Sequence, residues 1–434
     1  MRKTVIATFI ASALISFSAN ASDLLQIYKE ALSNDAQFNS ARASKVAGQE
    51  RFAQSRATTI LPQMSASIDS SYTQSRLDPA IGPTINKSIN ANSLNLQLSQ
   101  TLFNFGVWQS YEMGKLSLVA SDMQFNFAQQ DLILRVAQAY FDVLAAQNNL
   151  KTLEAQKVAI SEQLASAKRN FEVGTQTITD THEAQSSFDS ISAAVFAAQG
   201  DLEVRTAALR QIIGKDAGDL AILKEGVQIN PPMPAKMNDW VSTAEEQNIG
   251  VGLSRISLEM AQRGIKLNRS AYLPSVNLGV NASRSPVKTP DMNSTSIGVA
   301  VHIPLYTGLA TDSRVREAIA NEDKARSDLE TSRRGAAQNA RQAYIGVVNG
   351  LAQVKAFEAA IISSQSALDS TKLGYQVGVR INIDVLNAQQ RLSNTQQSLA
   401  RARYDSIMNG LRLKAAAGTL KEDDLSEVNA LLAH

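Results

Sequence analysis

The segment that decides the fold reads Asn170–Phe171–Glu172–Val173–Gly174 and continues with Ile178–Thr179–Asp180. It returns 204 residues later as Gly374–Tyr375–Gln376–Val377–Gly378, followed by Asn382–Ile383–Asp384. The same offset brings Ala139–Tyr140 onto Ala343–Tyr344, Ala184–Gln185 onto Ala388–Gln389 and Gly214 onto Gly418. Several landmarks at one constant spacing indicate an internal duplication. We therefore expect two matching halves about a pseudo-symmetry axis, with the function on that axis.

The N-terminus has the three parts of a bacterial secretory signal. Arg2–Lys3 is basic, Val5 to Phe17 is apolar, and Ala19–Asn20–Ala21 is a small-residue cleavage site. A transmembrane helix is the alternative, but the apolar stretch is short for a bilayer and we find no second candidate further along. Residues 1–21 are therefore predicted to be a signal peptide, with Ser22 as the first mature residue.

Composition excludes several kinds of site. The chain has 42 basic and 40 acidic residues, and removal of Arg2 and Lys3 makes the two numbers equal, so a nucleic-acid partner is not indicated. There is no cysteine, which excludes disulfides, a thiol nucleophile and a cysteine zinc site. The three histidines are widely separated in sequence and do not form a metal-binding motif. We expect no cofactor, no metal and, because no nucleophile–base arrangement or phosphate loop is present, no enzyme.

Heptad spacing predicts long antiparallel helices. In residues 176–213 an apolar seam repeats every seven residues, and a second seam occupies the matching positions of the other half; the seams are Thr181, Phe188, Val195, Leu202 and Leu209, and Val385, Leu392, Leu399, Ser406 and Leu413. Such spacing is typical of coiled coils. Helices of about 90–100 Å precede these segments, over Val107–Lys168 and Ala310–Lys372. The helices alone would also fit a dimeric coiled coil.

Glycine and capping residues place the helix ends. Gly174 and Gly378 suit left-handed C-caps, which allow a tight turn between two helices. Thr177 or Thr179 in the first half, and Asn382 in the second, are the predicted N-caps of the returning helices. Each half therefore contains one helical hairpin.

Two pairs of strands show a period of two. They lie near 64–76 and 91–103 in the first half and near 276–284 and 295–305 in the second, each bounded by a landmark at Leu61–Pro62, Phe103, Leu273–Pro274 or Pro304–Leu305. The loops between paired strands are polar and contain proline, including Pro286 and Pro290. One apolar and one polar face is typical of outer-membrane barrels, although a half-buried soluble sheet has the same pattern. Four strands cannot enclose a channel alone.

Together these features resemble the TolC family of outer-membrane exit ducts, which serve efflux pumps and type I secretion in Gram-negative bacteria. The resemblance covers the mature chain and is carried by the N-terminal Asp23 to Tyr28, the Leu–Pro landmarks, the segment Tyr375 to Leu386, and Ala415 to Leu420. It implies an α+β membrane protein in which three chains share one twelve-stranded outer-membrane barrel and a periplasmic tunnel of coiled-coil helices.

The resemblance also implies a division of the chain. Residues 22–214 and 238–418 would be the two repeats, and residues 215–237 and 419–434 would form a belt around the middle of the tunnel. The implied partners are two further copies of the chain, outer-membrane lipid, a periplasmic adaptor protein, and an inner-membrane transporter of the RND, MFS or ABC type. The cargo, drug or protein, is left open.

A set of polar residues is implied to close the tunnel entrance. In the family a Thr–Asp pair in the first hairpin contacts a Tyr and an Arg in the second; the matching residues here are Thr179, Asp180, Tyr375 and Arg380. Gln163 matches a further polar position in the closed ring. Without the resemblance, these would be read as solvated turn residues.

The resemblance implies two more sites. The turns Val173–Gly174–Thr175 and Val377–Gly378–Val379 would dock the adaptor, although their glycines would also serve simply as helix caps. The family narrows at two stacked aspartate rings, where this chain has Asp384 but Asn387. Because residues three apart share a helix face, each chain would contribute one carboxylate instead of two. Asp384 as a plain helix N-terminal charge is the alternative. A secreted soluble coiled-coil scaffold is the alternative function, which the strand pairs and signal peptide disfavour.

Overall fold

The computed structural model describes residues 22–224, 226–285 and 292–433, so the predicted signal peptide, Pro286, Pro290 and His434 lie outside the described residues. The first half contains α1 (Leu24–Asn34), α2 (Ala36–Ile60), β1 (Gln63–Leu77), β2 (Ile85–Phe103), α3 (Phe105–Glu172) and α4 (Ile178–Ile213). The second contains α5 (Met237–Gln247), α6 (Ile249–Arg269) with a 3-10 turn (Ser270–Tyr272), β3 (Ser275–Ser285), β4 (Met292–His302), α7 (Ala310–Gln376) and α8 (Asn382–Ala416), and α9 (Glu422–Asn429) follows.

The order of elements confirms the duplication. Each half runs helix, helix, strand, strand, long helix, returning helix. The helices α3 and α7 have 68 and 67 residues, and α4 and α8 have 36 and 35. The opening helices α1 and α5 both have 11 residues. In both halves one residue, Asp35 or Asn248, ends the short helix and caps the next.

All four predicted strands are present in one antiparallel sheet, in the order β1-β2-β3-β4. The second strand starts at Ile85, earlier than expected, because the polar residues before position 91 continue the pairing with β1. The fourth ends at His302, earlier than expected, because its pairing with β3 ends at Ser275 and Pro304, which follows, has no backbone N–H to donate.

The register aligns the apolar residues of all four strands on one face. One row across the sheet consists of Met64, Leu98, Val280 and Ile297, and the adjacent row consists of Ser65, Gln97, Asn281 and Ser296. The side chains of Met64 and Ile297 are both 75% exposed. Within residues 22–224, 226–285 and 292–433, this apolar face has no packing partner.

The two hairpin turns have the predicted glycine geometry. Gly174 and Gly378 have φ angles of 77° and 78°, which few other residues adopt without strain. Thr177 is the N-cap of α4 and forms a capping box with Asp180. The prediction of Asn382 as an N-cap was wrong: Ile381 occupies that position, and Asn382 is the first residue of α8, fully buried. Its amide is used for a contact with α3 instead of a cap.

The predicted seam of the second half is buried at all five positions, and that of the first half is buried at Val195 and Leu209 and half-buried at the other three. In the second half Val385 and Leu392 pack against Leu368, and Leu399 packs against Val354, so that α8 lies along α7. The largest core lies midway along the long helices, where α1, α3, α4, α8 and α9 meet. There the hydroxyl of Tyr140 donates to the carbonyl of Ala221 at 2.7 Å. Residues 215–224 and 419–433 also meet in this region, through a bridge between Leu223 and Leu432.

Among the described residues, the layers leave two unpaired edges that run from the sheet to the hairpin turns. Toward the hairpin turns, α3 packs against α4 and α8, and α8 packs against α7. Toward the sheet, neighbouring helices follow the order α2, α3, α6, α7. One edge is therefore β1, α2 and α4, and the other is β4 and α7. Contrary to our expectation, α7 contains a stretch apolar and long enough by composition to cross a membrane, and only 11% of that stretch is buried in the chain.

Candidate functional site

The tips of the two hairpins meet at the end of the molecule farthest from the sheet. The first contact between them joins Gln176, in the turn before α4, to Tyr375, near the end of α7: the Gln176 side-chain amide donates to the tyrosine hydroxyl at 2.5 Å. The ring of Tyr375 packs against the buried cluster around Leu368 and Val385. Tyr375 therefore links the second hairpin to the first, through a residue that the sequence analysis did not select.

Asp180 is engaged within its own hairpin. Its carboxylate accepts hydrogen bonds from the Thr177 backbone N–H at 3.0 Å and from the Thr177 hydroxyl at 2.7 Å. Its own N–H donates to the Thr177 hydroxyl oxygen at 3.2 Å. Thr179, one residue before, is exposed. Within one chain, Asp180 thus caps α4, and the residue that reaches Tyr375 is Gln176.

Arg380 and Asp384 lie beside each other at the start of α8. The Arg380 Nη1 atom is 3.7 Å from Asp384 Oδ2, and the same oxygen accepts from the Ile381 N–H at 3.4 Å. Gly374 makes room for the arginine, because a Cβ at that position would lie 2.8 Å from Arg380 Cγ. Asn387 is exposed one turn further on. Both members of the ion pair are partly exposed, so we expect the pair to contribute little to stability.

Two contacts between side-chain amides connect the repeats above the tip. Gln163 on α3 donates to Oδ1 of Asn382, and Gln156, one heptad earlier on α3, donates to Gln390 at 2.5 Å. Gln156 is 1% exposed and Asn382 is 0% exposed. Among the described residues, Gln156 Oε1 and Asn382 Nδ2 have no hydrogen-bond partner. Only Gln163 was predicted; the seven-residue spacing of Gln156 and Gln163 is the signal that could have identified the pair.

The predicted docking turns form an exposed, partly apolar surface. Val173, Val377 and Val379 are exposed, Val379 to 79%. A Cβ at Gly174 or Gly378 would find no atom within 4 Å. Thr175 keeps its hydroxyl inside the turn, donating to the carbonyl of Asn170 at 3.0 Å. The tip therefore presents valines and bare backbone to solvent.

Comparisons with known proteins identify the family. The family model described as "Outer membrane efflux protein" matches residues 27–215 and 240–419. The chain is 35% identical over 439 residues to the outer membrane protein TolC of Vibrio cholerae, covering 99% of this chain and 98% of the relative. It is 28% identical to the proteases secretion protein PrtF of Dickeya chrysanthemi, covering 99% and 95% of the two chains.

A solved structure shows the same fold. The CmeC outer membrane channel of Campylobacter jejuni superimposes with a TM-score of 0.81 at 18% identity, covering 94% of this chain and 90% of that chain. The family match, the relatives and the fold agree with the exposed apolar sheet and the long helical hairpins. The chain belongs to the outer membrane efflux protein family and is a TolC-like exit duct of the Gram-negative outer membrane for efflux and type I secretion, not an enzyme.

Proposed function

We propose that three copies of this chain assemble around one axis to form a continuous conduit from the outer membrane into the periplasm. The observation that carries the proposal is the pair of unpaired edges, one formed by β1, α2 and α4 and the other by β4 and α7. Unpaired backbone groups at a sheet edge are not tolerated in the hydrocarbon region of a membrane. Four strands must therefore continue into another sheet.

The two edges differ, which determines how copies join. When one surface binds a different surface of the next copy, the contact is head to tail and closes a ring if the rotation fits. The first edge of one chain would meet the second edge of its neighbour along the sheet and the helices together. Three chains with four strands each would supply a twelve-stranded barrel, within the range of outer-membrane barrels.

The tip of the hairpins would be the closed entrance. Contacts between the hairpins within one chain, at Gln163–Asn382 and Gln176–Tyr375, support this part of the proposal. Thr179 is exposed, and Asp180 and Arg380 are partly exposed, so they would be available to a neighbouring chain. Asp384 and Asn387 would project toward the axis and form the narrowest ring.

The exposed valines and glycines of the two turns support a periplasmic adaptor protein as the partner at this end. An inner-membrane transporter of the RND, MFS or ABC type would deliver the cargo. PrtF is named for protease secretion, and the family for efflux, so we propose that the cargo includes proteins, small molecules or both.

Native mass spectrometry of the mature chain in detergent tests the assembly. A trimer is the expected species, and a stable monomer or dimer would overturn the proposal. Deletion of the gene, followed by comparison of drug susceptibility with the secreted proteome, identifies the cargo. If the deletion both raises drug susceptibility and removes secreted proteins, one duct serves several transporters.

A further inference from the structure

We propose that α7 carries a second, open heptad seam, and that α4 of a neighbouring copy of this chain fills it with Gly200 at the closest approach. The inference rests on the proposed trimer and assigns the residues through which the helical edges would meet. It starts from a difference between the two faces of α7.

One face of α7 is buried by its own chain. Ala340, Val347, Val354 and Leu368 are buried, follow a seven-residue repeat, and contact α8 and the helices near it. The opposite face has its own seven-residue repeat but remains exposed: its positions are Ile345, Ala352, Ala359, Ser366 and Leu373, with Val348, Lys355 and Ile362 beside them. Ile362 is 69% exposed. Apolar residues that repeat every seven positions on an exposed helix face indicate a missing partner helix.

The free face of α4 has a complementary shape. Ile191, Val195 and Leu209 face the chain's own core. The exposed face presents a repeat of small residues, Ala193, Gly200 and Ala207, flanked by Ala197 and Val204 on one side and by the exposed Phe196 on the other. A Cβ at Gly200 would find no atom within 4 Å in the single chain. Small residues on one helix allow larger side chains of a second helix to approach closely, so this face fits the isoleucines and valines of α7.

Three contacts place the two faces at the same height. Arg205 on α4 lies 3.6 Å from Asp142 on α3; Asn148 on α3 donates to the Tyr404 hydroxyl on α8 at 3.4 Å; and Arg403 on α8 donates to Glu358 on α7 at 2.8 Å. These contacts place Arg205 level with α7 near residue 352 and Gly200 level with α7 near residue 357, because α4 and α7 run in opposite directions. Rotation about an axis parallel to the helices does not change a residue's position along that axis. Residues at the same level within one chain are therefore also at the same level in neighbouring copies.

At these heights the two helices are complementary in shape and charge. Because α4 and α7 run antiparallel, Gly200 would lie between Lys355 and Ala359, Ala193 would lie near Ile362, and Ala207 would lie near Val348. Lys355 lies in the open seam, and the exposed Glu203 lies beside Gly200. In the part of the chain that the structure describes, neither Lys355 nor Glu203 forms an ion pair. An antiparallel pairing would bring them within reach of each other.

Disulfide cross-linking tests this seam. Because the chain has no native cysteine, any disulfide that forms must join introduced residues. Gly200→Cys combined with Ala359→Cys is expected to give covalent dimers and trimers after mild oxidation of the assembled protein. The matched control is Gly200→Cys with Ala360→Cys, one residue further along α7 and about 100° around the helix, which is expected to give little product. Equal cross-linking of both pairs, or none by the first pair in an intact trimer, would overturn the seam. If native mass spectrometry shows no trimer, the proposed function fails as well.

A second experiment changes the side-chain size at Gly200 and the charges of Lys355 and Glu203. Gly200→Leu raises helix propensity and meets no atom of its own chain, so any loss of trimer must come from the interface. We expect at least about a tenfold loss of trimer with Leu and little loss with the control Gly200→Ala. Lys355→Glu and Glu203→Lys should each weaken the trimer, and their combination should restore it. Normal trimer in Gly200→Leu, or no rescue in the double variant, would contradict the inference.

Discussion

The side-chain amide of Gln163 donates to Oδ1 of Asn382, and this contact joins the first hairpin to the first turn of α8 in the second. Asn382 is completely buried, and its Nδ2 atom has no acceptor among the described residues. A buried donor without a partner costs about 1–3 kcal/mol. This contact between the hairpins therefore carries an unfavourable contribution to the free energy, and in the proposed entrance a movement of α8 away from α3 that admits water to the amide would remove it.

Removal of two polar groups at the tip should open the entrance. Tyr375→Phe removes the hydroxyl that accepts from Gln176, and Arg380→Ala removes the guanidinium beside Asp384. A hydrogen bond between neutral groups contributes about 0.5–1.5 kcal/mol and an exposed ion pair less than about 1 kcal/mol. We expect the double variant to raise single-channel conductance in planar bilayers.

The matched control is Tyr344→Phe, because Tyr344 is the other tyrosine of α7 and its hydroxyl donates to the backbone carbonyl of Ala235, far from the tip. Its conductance should equal that of the unmodified protein. Unchanged conductance in the tip variant would mean that Tyr375 and Arg380 do not hold the entrance closed.

The periodic elements of this protein could be predicted from its sequence, because their burial repeats along the chain. The seam of α8 and the alternating strands follow directly from spacing of seven and two. Periodicity does not identify the partner, however. The heptads of α7 predict two equivalent faces, although α8 covers only one of them.

The contacts at the tip could be predicted only in part. Gln176 and Asn382 acquire their partners from the path of two turns that are far apart in sequence. Asn at a helix start normally indicates a cap, and only the structure reveals that Asn382 points toward α3. Local helix propensity cannot predict a contact that depends on how the two hairpins pack against each other.

Bulky residues at the two turns should prevent adaptor docking. Gly174→Trp with Gly378→Trp adds large side chains to a surface that is now bare backbone. We expect trimer assembly to persist and cross-linking to the adaptor to fall at least about tenfold. Gly174→Asn with Gly378→Asn is the control, because asparagine tolerates the left-handed conformation and is small. Normal adaptor cross-linking in the tryptophan variant would exclude a docking role for the turns.

The buried ion pair in the middle of the molecule should make stability depend on pH. Arg135 contacts both carboxylate oxygens of Asp35, at 2.9 and 3.0 Å, and its guanidinium holds the pKa of Asp35 below the ordinary value of 3.8. A lowered folded-state pKa stabilises the fold above the unfolded pKa, and this contribution is lost as the pH falls through the folded pKa. Asp35→Asn should therefore lower the free energy of unfolding by about 1.5–3 kcal/mol at pH 7.

Denaturation followed by circular dichroism at pH 7 and below pH 4 measures this difference, which should shrink at the lower pH. Asparagine can still cap α2, as Asn248 does for α6, so the variant isolates the charge. Asp405→Asn is the control, because the Asp405–Arg401 pair is largely exposed and should contribute less than about 1 kcal/mol. A pH-independent difference for Asp35→Asn would exclude the ion pair as its cause.

The last prediction concerns Asp384 and Asn387, which lie one turn apart at the start of α8. In the proposed trimer they would form two adjacent rings, only one of them charged. The Arg380 guanidinium is 3.7 Å away, but both groups are partly exposed and the screened pair leaves most of the carboxylate field intact. A ring of carboxylates attracts cations, so we expect a pore that prefers cations moderately and is blocked weakly by divalent ions.

Bilayer recordings of two variants decide whether this ring sets the selectivity. Asp384→Ala should abolish both cation preference and divalent block, because it removes the only carboxylate of the two rings. Asn387→Asp should strengthen both: a divalent ion that meets a second carboxylate gains roughly 1–2 kcal/mol, or about a tenfold lower blocking concentration. Asn387→Ala is the control for side-chain size and should leave selectivity near that of the unmodified protein. If Asp384→Ala retained cation preference and block, Asp384 would act only as an N-terminal charge of α8, and the constriction would have to lie at other residues.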